Sequence, residues 1–135
     1  MIDSSLCGSS FEVSHHVTEG DSAERFGNEG VPVFATPVIC ALVEEAAIGV
    51  LRPHLGPGAV SVGTDIRVRH TAPTPLAGSM SVKATLSTVE NGALLFDVVA
   101  HDGHEQVATA VHERRVVDAD RLLRRANRKL ESAAK

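Results

Sequence analysis

Two carboxylates lie in the middle of a strongly apolar segment, VFATPVICALVEEAAIGVL, which spans residues 33–51. Glu45 alone could form the narrow polar stripe of such a segment, which would leave Glu44 facing a sheet or a subunit interface. Burial there would raise the pKa of the Glu44 carboxyl group unless a cation or hydrogen-bond donors offset it. Such a carboxylate can act as a general base or a nucleophile, while a solvated carboxylate on a helix surface is the alternative.

A histidine and a threonine could act together with this carboxylate. His70 alternates with two apolar residues in the segment 65–70, so it should lie on the core-facing side of a strand. A core histidine is commonly a satisfied structural residue, but a facing carboxylate would orient it as an acid or base. Thr36 precedes a proline and suits a helix N-cap. Because eight residues of helix rise ~12 Å, Thr36 cannot hydrogen-bond to Glu44 on one straight helix.

Other kinds of chemistry have little support in the sequence. No cysteine or histidine spacing fits a zinc site, and the chain has no phosphate loop, nucleophile elbow or dinucleotide fingerprint. A net charge of −4 and the absence of Trp and Tyr argue against binding to nucleic acid. The basic run RLLRRANRK at residues 121–129 is typical of a solvated helix face, and a site for an anionic partner is the alternative.

The expected location is the cytoplasm. The chain begins without the basic and apolar regions of a signal peptide. No apolar run approaches the roughly 20 residues needed to span a bilayer, so we expect no membrane association. Its two cysteines, Cys7 and Cys40, do not indicate a disulfide and suit a reducing compartment.

The elements that must position these residues follow a simple order along the 135 residues. Residues 1–10 predict disorder, residues 18–32 a long loop of the lid type, and residues 37–53 a long apolar helix. Residues 118–133 predict an amphipathic helix at the end of the chain. The segments that alternate with a period of two are 11–17, 65–70, 79–89, 93–101 and 106–117.

The order of these elements predicts an α+β fold. A sheet with one apolar face must bury it against another element, and only the helix 37–53 is apolar enough. The turns at Asn91-Gly92 and Asp102-Gly103 predict antiparallel neighbours, so the last four strands should form a meander. We therefore expect a single hotdog domain over residues 11–135, with an antiparallel sheet wrapped around a long central helix. Five short strands scarcely cover so apolar a helix, so at least a dimer is expected.

Three segments resemble the fluoroacetyl-CoA thioesterase type of hotdog-fold acyl-CoA thioesterase. They are VFATPVICALVEEAA, SVGTDIRVRHTAPTP and HDGHEQVATAVHERRVV, and the resemblance covers about Val33 to Val117. It implies hydrolysis of a small acyl-CoA by a homodimer or a higher oligomer, with active sites near the subunit interface. It also implies neither a metal nor a separate cofactor, since coenzyme A is part of the substrate. The implied catalytic residues are Thr36, Glu44 and His70, and the implied substrate-binding residues are Gly63, Arg114, Phe34 and Phe26.

One segment departs from this family. The stretch RFGNEGVP carries Gly27 and Gly30 where the family has a bulky, hydrophobic lid, which favours a broader acyl-CoA preference than fluoroacetyl-CoA. Whether Glu44 attacks the thioester itself or activates water stays open. A hotdog hydratase or dehydratase acting on acyl thioesters, or a non-catalytic acyl-CoA-binding module, is the alternative function.

Overall fold

Five antiparallel strands and one long helix form the body of the protein in a computed structural model that describes residues 2–133. The helices are α1 (Thr36–Leu51) and α2 (Ala119–Ala133). The strands are β1 (Ser10–His16), β2 (Ala59–His70), β3 (Ser79–Glu90), β4 (Ala93–His101) and β5 (Gln106–Asp118). This is the predicted α+β layout of a sheet around a central helix.

The core lies between α1 and the inner face of the sheet. Alternate residues of the strands are buried there, as the period of two predicts. From β3 and β4 they are Met80, Val82, Ala84, Leu86, Leu94, Phe96, Val98 and Ala100. From α1 they are Ile39, Leu42, Val43, Ala46, Ala47, Val50 and Leu51. Glu45 is exposed, so it does contribute to the polar stripe of the helix.

The strand order is β1-β3-β4-β5-β2, which corrects the predicted four-strand meander. The last three strands are antiparallel neighbours, and both Asn91 (φ 51°) and Gly92 (φ 82°) adopt the left-handed conformation that a tight hairpin turn requires. Strand β2, however, pairs with β5. Residues 71–78 form a connection of eight residues with no two-residue turn, so they do not force β2 and β3 to be neighbours.

Strand β2 is longer than the sequence predicts and lies at the edge of the sheet. It begins at Ala59, six residues before the predicted start at 65, and its register with β5 shifts between Gly63 and Asp65. Val68 and His70 lie opposite Ala110 and Ala108, so they are on the inner face as predicted. The absence of a neighbour on one side leaves these inner-face residues less covered than those of β3 and β4.

The start of α1 differs from the prediction. The N-cap is Ala35 and Thr36 is already the first helical residue, with no side-chain hydrogen bond to the cap. The Thr36 hydroxyl is therefore available to a group outside the helix. The helix ends at Leu51, and its predicted last residues, 52 and 53, lie instead in a short 3-10 turn, Arg52–His54.

The first residues of the described chain are bonded to the sheet, whereas leucines of the last helix are exposed. Residues 2–10, which the sequence predicts as disordered, contain a 3-10 turn, and backbone hydrogen bonds join Gly8 and Ser9 to Leu86 of β3. At the other end, α2 follows β5 directly, and Leu123 and Leu130 on its predicted apolar side are exposed. None of the helices in residues 2–133 combines the length and the apolar character needed to cross a membrane.

Candidate active site

The first residue of α1 and the last residue of β2 form one half of the candidate site. Thr36 Oγ1 lies 2.8 Å from His70 Nδ1, which is hydrogen-bond distance. The inward alternation of β2 directs His70 towards the helix, and the start of α1 at Thr36 frees the hydroxyl to meet it. Two of the three predicted catalytic residues are therefore brought together directly.

The His70 ring is held in its neutral form with one nitrogen unused. Burial lowers the pKa of His70 below its ordinary value of 6.5, because the charged imidazolium loses solvation there. Its Nε2 is buried and has no hydrogen-bond partner among residues 2–133. The Thr36 hydroxyl can donate or accept, so it complements either tautomer of the ring. This pair can thus give or take a proton through Nε2, which is the chemistry of a general acid or base.

Glu44 and Arg114 form the other half of the site. The side chain of Glu44 is 48% exposed and that of Arg114 is 4% exposed, and Nη1 of the arginine donates to Oε2 of the glutamate over 3.1 Å. The arginine is fixed by Ser61 of β2, whose hydroxyl accepts from Nε at 3.0 Å and whose carbonyl accepts from Nη2 at 2.9 Å. One carboxylate oxygen of Glu44 is therefore bound by a buried cation, while the side chain stays accessible to solvent.

Gly63 leaves the space in which this carboxylate lies. A Cβ atom at position 63 would be 2.9 Å from Oε2 of Glu44 and 3.3 Å from Nη1 of Arg114, so a side chain there would displace the carboxylate. Gly63, Glu44 and Ile66 are among the residues that line an open depression of about 400 Å³. The resemblance implies that Gly63 binds substrate, and its place beside Glu44 adds a steric role for the glycine.

One residue of this half was not recognised from the sequence. His112 is buried, and its Nε2 lies 3.1 Å from Nη1 of Arg114. In the sequence, His112 and Val111 are both candidates for the inner face, and apolar character alone favours the valine. The useful signal is the alternation Ala108, Ala110, His112, which continues through the buried positions of β5.

The two halves of the site lie apart within one chain. Thr36 and Glu44 are separated by ~12 Å along α1. His70 and Gly63 are the corresponding residues on β2, and seven residues of extended strand span ~23 Å. Within the described chain, no hydrogen bond or ion pair joins Glu44 to Thr36 or His70, so the predicted contact between the glutamate and the histidine is not made inside one protomer.

The two phenylalanines assigned to substrate binding lie in different surroundings. Phe34 is 1% exposed, and its ring packs 6.1 Å, centroid to centroid, from that of His15 in the core. Phe26 is 48% exposed at the end of a short 3-10 turn. The loop between them is tied down at its base, because the N–H of Ala35 donates to the carbonyl of Asp21 and that of Ala23 to the carbonyl of Val33. Gly27 and Gly30 in the same loop have left-handed backbones.

Comparison with known proteins identifies the family. A model of the family described as fluoroacetyl-CoA-specific thioesterase (FlK) matches residues 17–120. The chain belongs to this family. A curated fluoroacetyl-CoA thioesterase from Streptantibioticus cattleyicolor is 40% identical over 90 residues, which make up 67% of this chain and 65% of the length of that relative. The predicted enzyme class, a thioester hydrolase, is confirmed at the level of the family.

Solved structures confirm the hotdog fold. A mutant of the fluoroacetyl-CoA thioesterase FlK, in complex with acetyl-CoA, matches with a TM-score of 0.86 and 31% identity over 91% of this chain and 97% of that one. A hot-dog-like protein from Thermanaerovibrio acidaminovorans matches with a TM-score of 0.85 and 26% identity over 93% of this chain and 94% of that one. The agreement over nearly the whole chain covers both halves of the candidate site.

Proposed function

We propose that the protein hydrolyses the thioester bond of a small acyl-CoA and releases a carboxylic acid and free CoA. The hydrogen bond between Thr36 and His70 carries this proposal, because it holds a partly buried imidazole whose Nε2 is buried and has no hydrogen-bond partner among the described residues. Such a group can protonate the departing CoA thiolate. Membership of a thioesterase family supports the same reaction.

In the proposed reaction, Glu44 supplies the attacking oxygen or generates it. As a nucleophile, its carboxylate adds to the thioester carbonyl, the C–S bond breaks, and water then hydrolyses the resulting anhydride. As a general base, it takes a proton from water, and the hydroxide adds to the same carbonyl. In both routes the backbone N–H of Gly63 could stabilise the oxyanion and His70 protonates the thiolate. No step is assigned to a metal or a separate cofactor.

A homodimer would bring the two halves of the site together. Strand β2 is an unpaired edge of twelve residues, and Ile66 on its inner side is 37% exposed. Long exposed edges of this kind pair readily with another strand. If β2 pairs with β2 of a second copy, the two-fold axis places α1 of each copy beside the other in opposite directions. Glu44 of the partner subunit would then approach Thr36 and His70 of the first, and we propose that this completes each site.

We propose that the protein accepts a broader range of acyl groups than fluoroacetyl alone. The loop that carries Phe26 also carries Gly27 and Gly30, whose left-handed backbones favour glycine and offer no side chain to close a pocket. Selection against a close analogue requires contacts that the analogue cannot make, and two glycines supply none. A cytoplasmic location stays a prediction.

Release of free CoA thiol tests this function. The wild-type protein is assayed with a thiol reagent over a panel from acetyl- and fluoroacetyl-CoA to longer and aryl-acetyl-CoA. Glu44→Gln and His70→Ala should each lower kcat at least ~100-fold, because each removes a group that moves a proton or attacks the substrate. Glu45→Gln is the matched control, since it neutralises the neighbouring, exposed carboxylate of the same helix.

The alternatives give different results in the same assay. Consumption of an enoyl-CoA without release of thiol would indicate the hydratase. Saturable binding without turnover, unchanged in Glu44→Gln, would indicate the acyl-CoA-binding module. Near-normal turnover in either site variant would remove that residue from the mechanism.

A further inference from the structure

Behind the Glu44 carboxylate lies a buried histidine that the proposed reaction does not use. His112 is 1% exposed on β5, and the ring of Phe96 packs against it at a centroid distance of 6.3 Å. Both of its nitrogens are engaged, because Nδ1 lies 2.8 Å from the carbonyl oxygen of Asp65 and Nε2 lies 3.1 Å from Nη1 of Arg114. The ring is therefore fixed in position from both sides.

The partners of His112 determine where its proton lies. A guanidinium group has only donors and a backbone carbonyl is only an acceptor. Nε2 must therefore accept from Arg114, and Nδ1 must carry the proton and donate it to Asp65. Burial is the main influence that lowers the pKa of His112, so the neutral ring that this arrangement needs is also the favoured one.

The consequence for Arg114 follows from its count of N–H groups. Ser61 occupies Nε and one N–H of Nη2. One hydrogen of Nη2 and both hydrogens of Nη1 remain, and the two contacts of Nη1 are Nε2 of His112 and Oε2 of Glu44, each at 3.1 Å. Because the guanidinium is planar, an acceptor that fixes one Nη1 hydrogen also fixes the direction of the other. His112, together with Ser61, thus sets the direction from which Nη1 of Arg114 meets Glu44.

We propose that His112 is a positioning residue, whose Nε2 holds Arg114 so that the arginine keeps the Glu44 carboxylate in its reactive place beside Gly63. The inference rests on the role proposed for Glu44. Its competitor is a purely structural role, in which His112 only ties β5 to β2 through the Asp65 carbonyl, next to the register shift between Gly63 and Asp65.

Two substitutions separate these roles. In His112→Gln, the side-chain oxygen can replace Nε2 as the acceptor for Arg114, but nothing replaces the Nδ1 donor. In His112→Asn, the shorter amide can replace the Nδ1 donor to Asp65, but no acceptor reaches Arg114. A positioning role therefore predicts that the glutamine rescues turnover and the asparagine does not, and a structural role predicts the reverse.

The experiment measures kcat and KM for release of CoA thiol, with thermal melting of each variant as the check on folding. We expect His112→Gln to keep most of the wild-type kcat. We expect His112→Asn to lose roughly 10-fold to 100-fold in kcat with little change in KM, because small displacements of a reacting group cost rate rather than binding. Wild-type turnover in His112→Asn, or equal losses in both variants, would overturn the positioning role.

A second measurement does not depend on turnover or on the folding of a variant. Long-range ¹H–¹⁵N spectra of the histidine rings in the wild-type protein should show His112 with its proton on Nδ1 and an unprotonated Nε2. A proton on Nε2 would exclude the hydrogen bond from Arg114 and defeat the inference. A wild-type protein that releases no CoA from any thioester would instead defeat the proposed function, and the positioning role with it.

Discussion

Gly63 is the residue whose replacement should separate activity from stability most clearly. In Gly63→Ala the added methyl group would displace Oε2 of Glu44, which is the end of a flexible, half-exposed side chain. It would also lie 3.1 Å from Cε1 of His112 and 3.3 Å from Nη1 of Arg114, which are buried and must shift by a few tenths of an ångström. We therefore expect kcat to fall at least ~10-fold. The free energy of unfolding should fall by about 1–2 kcal/mol, as measured by urea denaturation, which leaves the protein folded for the assay.

The control for this substitution is Gly56→Ala. A Cβ atom at Gly56 would have no neighbour within 4 Å, and its backbone does not need glycine. This variant should keep wild-type kcat. If Gly63→Ala also keeps it, the place that Glu44 occupies in the structure is not the place from which it reacts.

Two histidines should make the protein less stable in mild acid. Because burial lowers the pKa of His70 and of His112 below 6.5, the unfolded chain binds protons at a higher pH than the folded chain does. Their contribution to stability is complete above pH 6.5 and is lost as the pH falls through the lowered values. The backbone N–H groups of Glu105 and His104 hold the pKa of Asp102 below 3.8. Protonation of this carboxylate therefore lowers the stability only in stronger acid.

Urea denaturation on either side of pH 6.5 measures this effect. The urea concentration at the wild-type midpoint should be lower below pH 6.5 than above it. In His70→Gln this decrease should be smaller, because the glutamine does not titrate. His54→Gln is the control, because it removes an exposed histidine by the same substitution. An equal decrease of the midpoint in wild type and His70→Gln would mean that His70 is not held neutral by the fold.

Residue types and spacing single out Thr36, Glu44 and His70 as candidates, and their catalytic roles stay predictions; their contacts could not be read from the sequence. The threonine was interpreted as a helix cap, because the sequence cannot say whether a helix begins at a residue or just after it. His112 was left open because alternation along a strand gives two faces without saying which one is inside. Only the pairing of β5 with β4 and β2 decides that, and pairing is a property of the whole sheet.

At the scale of elements, the hairpins that depend on local turn signals were predicted from the sequence. The position of β2 in the sheet, which depends on a longer connection, was not. The hairpins that join β3 to β4 and β4 to β5 follow from tight turns with glycine. The position of β2 at the far edge depends on where residues 71–78 cross the molecule. No local pattern encodes that path, so the sequence could equally have placed β2 next to β3.

The contact between α1 and β1 offers a test at this scale. Gly49 of the helix packs directly against the ring of Phe11, and a Cβ atom there would overlap the ring. Although alanine favours a helix by up to about 1 kcal/mol over glycine, we expect Gly49→Ala to destabilise the protein by about 1–3 kcal/mol because the packed ring must shift. Urea denaturation measures the change.

The partner residue gives the matched background for this test. In a Phe11→Ala protein the overlap is gone, so the same Gly49→Ala substitution should now stabilise by up to about 1 kcal/mol. The reversal of sign across the four proteins of a double-mutant cycle isolates the contact. If Gly49→Ala stabilises the protein even with Phe11 present, the helix and β1 are not packed as closely as the structure shows.

For the whole molecule, the separation of the two halves of the site is the feature with the largest consequence. One chain carries every predicted catalytic residue but, within residues 2–133, makes only the contact between Thr36 and His70 among the three. The apolar character of α1 predicted a dimer, and the family resemblance implied active sites near the subunit interface. The conclusion proposed above goes one step further, since it has the partner subunit supply Glu44 to each site. That conclusion depends on where the halves lie along α1 and β2.

Complementation between two inactive variants tests this assembly. A Glu44→Gln chain keeps Thr36 and His70, and a His70→Ala chain keeps Glu44. If each site joins the histidine of one subunit to Glu44 of the partner subunit, a mixed dimer contains one intact site and one doubly defective site.

Random mixing makes half of the dimers mixed, so co-expression should restore about one quarter of wild-type kcat per site. Mixed dimers purified through two different affinity tags should release thiol at about one half of the wild-type rate per site, because one of their two sites is intact. A Glu45→Gln chain co-expressed with His70→Ala gives the reference for one unimpaired subunit type. Mixed Glu44→Gln and His70→Ala dimers that stay as inactive as the separate variants would show that each chain builds its site alone.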